Sequence, residues 1–228
     1  MKFSQQLKVL TKDSWVKSLN HPFVQGIVKG TLALDKFRFY ILQDTYYLKH
    51  YGKVHALAAA KADDFSVTAM LAEKAKLTAE AEITVHKQHA QLLDITPEEM
   101  ENFKPAPTAY AYTSHMYRAC LLGDLAEVVA AMLPCYWLYA DIGYANAKAK
   151  PGKKVYQNWI DTYASDWFQQ STKEQIDLLD ELMEDANEQK KTRVTEQFVI
   201  AKEYELHFWE MAYTQETWLS NSKARLDY

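Results

Sequence analysis

The sequence has little of what builds tight turns or covalent cross-links. Its 228 residues include only six glycines, six prolines and two cysteines. So few turn-forming residues argue against a β-sandwich or barrel and favour long helices. The two cysteines, Cys120 and Cys135, have neither the number of a disulfide framework nor the spacing of a zinc Cys-x-x-Cys pair.

Excess positive charge and long apolar runs are also missing. The net charge is −4 at pH 7 and no basic cluster occurs, so we expect no nucleic acid or anionic membrane partner. The longest uncharged run, residues 128–140, is shorter than the ~20 residues of a membrane helix. The segment 1–6 lacks the apolar core of a signal peptide. We therefore predict a cytoplasmic protein without a membrane partner.

Helical patterning dominates what is present. The hydrophobic fraction of 48% can fill a large core, and no linker or repeat divides the chain. The sequence predicts one all-α domain over residues 1–228, with about eight helices and a C-terminal tail from about 219. Gly26 and Gly30 are expected in a loop, and Asp35 and Thr108 as helix N-caps. The main predicted helices span residues 3–19, 35–62, 65–93, 108–122, 124–150, 156–166, 171–185 and 187–213.

The uncharged run contains the most conspicuous thiol. Cys135 and Tyr139 are four residues apart, which places them on one face of a helix. Pro134 removes a backbone N–H and predicts a kink just before the thiol. A cysteine in such a segment is more commonly a buried structural thiol than a reactive one, and the pattern leaves both interpretations open.

Two carboxylates accompany aromatic residues at helical spacing. Asp44 shares a face with Tyr47, either at the surface, which the sequence slightly favours, or buried and paired. Glu205 lies three residues before Phe208 and four before Trp209. A glutamate in an apolar pocket has a raised pKa and can donate a proton near neutral pH.

Other aromatic groups are better explained by core packing. These are the cluster within residues 110–117, which includes Tyr112, and the i, i+4, i+8 stripe of Trp159, Tyr163 and Trp167. Metal ligation is not expected. No histidine follows a glutamate by three residues, and His86 and His89 lie in a helix of solvent-exposed character. His21 could serve as an axial haem ligand, but before proline it is more commonly structural.

One thiol, two carboxylates and several phenols could thus line a single pocket. They suit addition of a thiolate to an electron-poor ring or carbonyl, with the carboxylates moving protons and the aromatic rings stacking a flat ligand. Periodicity leaves open whether these helices converge.

Several stretches along the chain, taken together in their order and spacing, resemble those of a known protein family. Residues 21–27, 42–48, 108–118, 133–139, 163–168 and 208–213 resemble the TenA / thiaminase II family of aminopyrimidine aminohydrolases, whereas the tail after Trp218 matches little. The resemblance implies a haem-oxygenase-like helical bundle and a homotetramer. It also implies hydrolysis at the pyrimidine methylene carbon of aminomethylpyrimidine (4-amino-5-aminomethyl-2-methylpyrimidine) or thiamine, giving hydroxymethylpyrimidine in thiamine salvage. No metal or organic cofactor is implied.

The same resemblance implies three catalytic residues. Cys135 would add to the pyrimidine ring, Glu205 would protonate the departing group and then deprotonate water, and Tyr47 would hydrogen-bond and activate the thiol.

It also implies residues that bind the small-molecule substrate. Asp44 would hydrogen-bond the pyrimidine and stabilise its protonated ring. Tyr139 and Tyr163 would bond ring nitrogen or amino groups, and Tyr112 and Phe208 would sandwich the ring. Two alternatives remain: a haem-oxygenase-like redox protein, and a pyrimidine- or thiamine-binding regulator without turnover.

Overall fold

A computed structural model describes residues 1–81 and 87–219 of the chain. This part contains α-helices and no strand, which confirms the predicted all-α class. Its twelve helices are α1 (Phe3–Leu10), α2 (Lys12–Leu19), α3 (Pro22–Val28), α4 (Leu34–Ala59), α5 (Phe65–Ala81), α6 (Lys87–Leu92), α7 (Pro97–Asn102), α8 (Pro107–Leu122), α9 (Leu125–Asn146), α10 (Lys154–Ala164), α11 (Asp166–Leu182) and α12 (Glu188–Thr214). All but the first residue of the predicted tail lies outside the described residues.

Helix α9 is the centre of the bundle. Asp124 caps it, accepting a hydrogen bond from the Glu127 amide while the Glu127 side chain accepts one from the Asp124 amide. Helices α8, α10, α11 and α12 pack around it, and residues 128–133 are completely buried. An apolar helix enclosed on all sides needs no polar face, which explains the long uncharged run.

By length and composition alone, the whole of α9 could cross a membrane, although the uncharged run within it is shorter than a span. The helix extends beyond the uncharged run in both directions. However, 83% of its most apolar 18-residue window is buried inside the protein, as is typical of the core helix of a soluble protein.

Two contacts of α9 and its neighbours fix the position of the site. At Gly143, an added Cβ would lie 2.2 Å from the backbone carbonyl carbon of Tyr163, so only glycine lets α10 approach this closely. The rings of Tyr139 and Tyr163 then meet edge to face, with centroids 4.6 Å apart.

The N-terminal region differs from the prediction in two places. The expected 3–19 helix is divided at Thr11, whose hydroxyl donates a hydrogen bond to the Leu7 carbonyl and competes with the helical pattern. Gly26 lies within α3 rather than in a loop, and an added Cβ there would lie 3.0 Å from the Leu32 Cβ, which explains why this helical position is a glycine. Gly30 does lie after α3 and adopts φ = +70°.

The predicted caps of two helices are also shifted. Ala33 is the N-cap of α4, and Asp35 lies in its first turn, where a carboxylate favours the helix dipole. Ala106 is the N-cap of α8, since Pro107 occupies the first helical position ahead of Thr108. The long helix expected over 65–93 crosses residues 82–86, which lie outside the described part.

Candidate active site

A cavity of about 110 Å³ opens beside α9, where α4, α5, α6, α10 and α11 surround it. Four of the predicted site residues lie on its wall: Asp44, Cys135, Tyr139 and Tyr163. The remaining lining side chains are Ile41, Leu48, Tyr51, Leu77, Thr78, His89, Tyr136, Thr162, Trp167 and Phe168. Helices distant in sequence therefore do converge, which periodicity alone left open.

Cys135 is a free, partly exposed thiol on the α9 side of the cavity. Burial raises its pKa well above the usual range, the charge of Glu205 adds to the rise, and hydrogen bonds from Tyr47 and Tyr51 oppose it. The thiol is therefore protonated at neutral pH. Pro134 lies inside α9, which continues past it to Asn146, so the kink remains a prediction.

Glu205 is buried, with 2% of its surface exposed, and accepts a 2.6 Å hydrogen bond from the Tyr112 hydroxyl. Burial raises the pKa of Glu205 to about 7, while the bond from Tyr112 and the charge of Lys202 act in the opposite direction. A carboxyl group balanced in this way can give and take a proton near neutral pH.

Asp44 is buried rather than exposed, contrary to the interpretation that the sequence slightly favoured. The reason is tertiary: α4 packs against α5, α8, α9 and α12, which encloses more of its surface than one apolar stripe predicts. The charge of Asp44 adds to the effect of burial in raising the pKa of Tyr139 and of Tyr163 on the cavity wall.

Tyr47, Tyr112 and Phe208 lie in an aromatic layer next to the cavity lining. The Tyr47 ring centroid is 5.0 Å from that of Tyr112 and 5.7 Å from that of Phe208. Tyr112 also stacks on Tyr204 at 5.2 Å, so its hydroxyl reaches Glu205 while its ring faces are occupied by protein. Tyr112 is thus bonded to the Glu205 carboxyl group, and neither Tyr112 nor Phe208 lines the cavity. The expected sandwich of the substrate ring between these two side chains stays a prediction.

The aromatic stripe that was expected to be core is not continuous. Trp159 is buried and Tyr163 reaches the cavity, but Trp167 is 51% exposed. Ser165 ends α10 and caps α11 by accepting a hydrogen bond from the Phe168 amide. The break turns Trp167 out of the core to the edge of the cavity.

His21 is structural, as its position before proline indicated. Its Nδ1 accepts a hydrogen bond from the Phe23 amide, and its Nε2 is 3.0 Å from a carboxylate oxygen of Glu210. Within residues 1–81 and 87–219, no three His, Cys, Asp or Glu side chains form a group that could hold a metal ion. His86 lies outside these residues.

Sequence reasoning missed Tyr51 and Lys202. The Tyr51 hydroxyl donates a hydrogen bond to the Met132 carbonyl and, beside the Cys135 thiol, opposes the rise in the thiol pKa; its position one turn after Tyr47 was the available signal. Lys202 is completely buried one turn before Glu205. The available signal was its helical spacing, which places the lysine on the same face as the carboxylate of Glu205.

Comparison with known proteins finds relatives in sequence and in structure. An aminopyrimidine aminohydrolase from Bacillus subtilis (strain 168) is 49% identical over 218 residues, which cover 96% of this chain and 92% of that protein. The solved structure of a TenA homologue from P. horikoshii OT3 superposes with a TM-score of 0.86 at 28% identity, covering 94% of this chain and 99% of that one.

A more distant structure shows the fold alone. Heme oxygenase-1 from the cyanobacterium Synechocystis sp. PCC6803 superposes with a TM-score of 0.66 at 14% identity, covering 94% of each chain. This confirms the predicted haem-oxygenase-like bundle. The model of the TENA/THI-4/PQQC family matches residues 11–215, and with the identity to the Bacillus protein it shows that the chain belongs to this family.

Proposed function

We propose that this protein is an aminopyrimidine aminohydrolase (thiaminase II) of thiamine salvage, which cleaves the substituent from the methylene carbon of aminomethylpyrimidine or thiamine. The Cys135 thiol and the buried Asp44 carboxylate meet on the wall of one cavity, and the buried Glu205 carboxyl group acts electrostatically on the thiol; this arrangement carries the proposal. The relative named aminopyrimidine aminohydrolase, at 49% identity, supports the same activity.

Cys135 is the proposed nucleophile. Its sulfur forms a C–S bond to an electron-poor ring carbon, which interrupts the aromaticity of the ring. The thiol proton must leave as this bond forms, because the neutral thiol is the weaker nucleophile. Hydrogen bonds from Tyr47 and Tyr51 favour the thiolate, and a ring nitrogen held against Asp44 is a suitable proton acceptor.

Glu205 is the proposed proton donor and acceptor. Electrons of the interrupted ring expel the substituent from the methylene carbon, and Glu205 gives its proton to the departing amine. The ionised carboxylate then takes a proton from water as the water oxygen bonds to the methylene carbon. Breaking the C–S bond restores the ring and the thiol. With aminomethylpyrimidine the net reaction consumes water and releases hydroxymethylpyrimidine and ammonia, without a cofactor. With thiamine, the neutral thiazole leaves in place of ammonia and needs no proton from Glu205, so the proton taken from water passes to solvent.

The tyrosines and Phe208 position these groups. Tyr139 and Tyr163 line the cavity, and their hydroxyls are proposed to hydrogen-bond ring nitrogen or amino groups. In the free protein, the Tyr139 hydroxyl lies 3.2 Å from that of Tyr40. Tyr112 orients Glu205 through its hydrogen bond, and Phe208 supports the Tyr47 ring from the adjacent layer.

We further infer that the protein is cytoplasmic and assembles as a homotetramer. Large apolar side chains remain exposed at the end of α8, where Leu121 is 81% and Leu122 66% exposed, and such a patch is stabilised by a partner subunit. Light scattering coupled to size-exclusion chromatography measures the mass. A monomer at micromolar concentration would contradict the tetramer.

The activity is tested by incubating the protein with aminomethylpyrimidine and, in parallel, with thiamine, and following hydroxymethylpyrimidine by chromatography. Time-dependent release from either substrate supports the hydrolase. Saturable binding measured by calorimetry, with no product from either compound, would contradict it and favour a regulator that binds without turnover.

A further inference from the structure

Lys202 is a buried charge that the mechanism above does not use. Its side chain has no exposed surface, and its ammonium group donates hydrogen bonds to Ser18 Oγ at 2.7 Å and to Ser14 Oγ at 3.3 Å. No carboxylate of the described residues is in ion-pair contact with it. The ammonium group also donates to the Ser14 carbonyl at 3.4 Å and lies 5.4 Å from the centroid of the Trp15 ring. Burying an ammonium group against neutral partners alone costs free energy, so its position calls for a compensating interaction.

The compensating charge lies on the same helix. Lys202 and Glu205 are one turn apart on α12, where side chains at i and i+3 share a face, and both are buried. Each favours the charged form of the other: Lys202 lowers the pKa of Glu205, and Glu205 raises that of Lys202 against the larger effect of burial.

The other groups that act on Glu205 do not supply a positive charge. From α4, Asp44 raises the pKa of Glu205, and from α8 Tyr112 lowers it by a neutral hydrogen bond. From α9, Cys135 is protonated in the free protein.

Two further charges act on Lys202 rather than on Glu205. Lys8 from α1 lowers the pKa of Lys202, and the exposed Glu203 raises it. Lys8 is itself engaged by Asp141. Among the described residues, Lys202 is therefore the cation that acts on Glu205.

We propose that Lys202 is a positioning residue for the proton chemistry of Glu205: its buried ammonium stabilises the ionised carboxylate and thereby enables Glu205 to accept a proton from water after donating one to the leaving group. This inference rests on the proposed function. Burial and Asp44 alone favour the protonated acid, which can serve the first half of the reaction. The second half requires the carboxylate, which Lys202 favours.

The direct test is an NMR titration of free protein labelled with ¹³C at glutamate carboxyl groups, with Glu205→Gln identifying the Glu205 signal. In Lys202→Met, which keeps an unbranched side chain one atom shorter and removes its charge, we expect the pKa of Glu205 to rise by about one pH unit. The matched control is Ser18→Ala, which removes a hydrogen bond to Lys202 and keeps the charge. It should lower the melting temperature and leave the Glu205 titration in place.

Catalysis gives a second readout. The basic limb of the kcat/KM profile, which reports loss of the Glu205 proton from the free enzyme, should move to higher pH in Lys202→Met. An unchanged Glu205 titration in this variant, with only a lower melting temperature, would overturn the proposal. Lys202 would then have only a structural role, in which its hydrogen bonds connect α12 to α2. The titration needs no turnover, so it stands even if the hydrolase assignment fails.

A reciprocal measurement covers the case in which Lys202→Met does not fold. Electrostatic coupling is mutual, so Glu205→Gln should lower the pKa of Lys202, followed through the ¹⁵N signal of its ammonium group. An unchanged Lys202 titration in Glu205→Gln would equally refute the coupling.

Discussion

The Tyr112 hydroxyl donates a 2.6 Å hydrogen bond to a carboxylate oxygen of Glu205, and both side chains are buried. The bond joins α8 to α12 and fixes the orientation of the carboxyl group relative to the Cys135 thiol. Because the hydroxyl donates to the ionised carboxylate, the bond lowers the pKa of Glu205 against the rise caused by burial.

Tyr112→Phe should therefore reduce kcat and raise the pKa of Glu205. A hydrogen bond to a charged group contributes about 1.5–3 kcal/mol, which corresponds to a loss of roughly ten- to a hundredfold in turnover. Steady-state rates and the ¹³C titration of Glu205 measure the two effects. Tyr110→Phe is the control, since Tyr110 is half exposed on the same helix. Equal rates for Tyr112→Phe and the control would refute the assigned role.

Asp44→Asn should weaken substrate binding and turnover together, because the amide keeps the shape of the buried side chain and removes its charge. Loss of a charge-assisted hydrogen bond predicts a decrease in kcat/KM of roughly a hundredfold. Asp35→Asn, in the exposed first turn of the same helix, should retain full activity. A kcat/KM within twofold of wild type for Asp44→Asn would contradict the proposed contact.

Gly143→Ala should destabilise the protein and impair the site. The added Cβ would lie 2.2 Å from the Tyr163 carbonyl carbon, so α10 must move away and carry Tyr163 with it. Overpacking of this kind costs about 1–3 kcal/mol. Urea denaturation measures the loss, and Gly52→Ala is the matched control, since its nearest contact is an ordinary 3.6 Å. If Gly143→Ala and Gly52→Ala had the same free energy of unfolding, the close approach of α10 to Gly143 would not be required for stability.

Pro134→Ala tests whether the proline directs the thiol. Restoring the backbone N–H one residue before Cys135 should straighten α9 locally and lower kcat without unfolding the protein. Initial rates at saturating substrate, with circular dichroism for folding, provide the comparison. Unchanged turnover would refute a role for the kink.

Much of the bundle could be read from local signals. The 3.6-residue periodicity and the scarcity of glycine and proline predicted long helices and their order. The division of the first helix at Thr11 could not be predicted. The Thr11 hydroxyl donates to the Leu7 carbonyl, and this side-chain hydrogen bond differs only slightly in free energy from the continuous helical pattern with which it competes.

The residues of the site were harder to interpret than their helices. The pattern alone favoured an exposed Asp44 and a buried Trp167, and both were wrong because burial is decided by the helices that pack alongside. For the eight proposed site residues, the resemblance to a family supplied roles that periodicity could not. Lys202 escaped notice because a lysine on a helix is normally solvated, and only the packing of α2 against α12 buries it.

The proposed hydrolysis depends on the thiol of Cys135, and the chain offers a matched comparison in its other free cysteine, Cys120. The decisive measurement is the initial rate of hydroxymethylpyrimidine release for Cys135→Ser and Cys120→Ser under identical conditions. We predict that Cys135→Ser loses at least roughly a thousandfold in kcat with an unchanged melting temperature, while Cys120→Ser keeps the wild-type rate. A Cys135→Ser variant that turns over substrate at the wild-type rate would contradict the account.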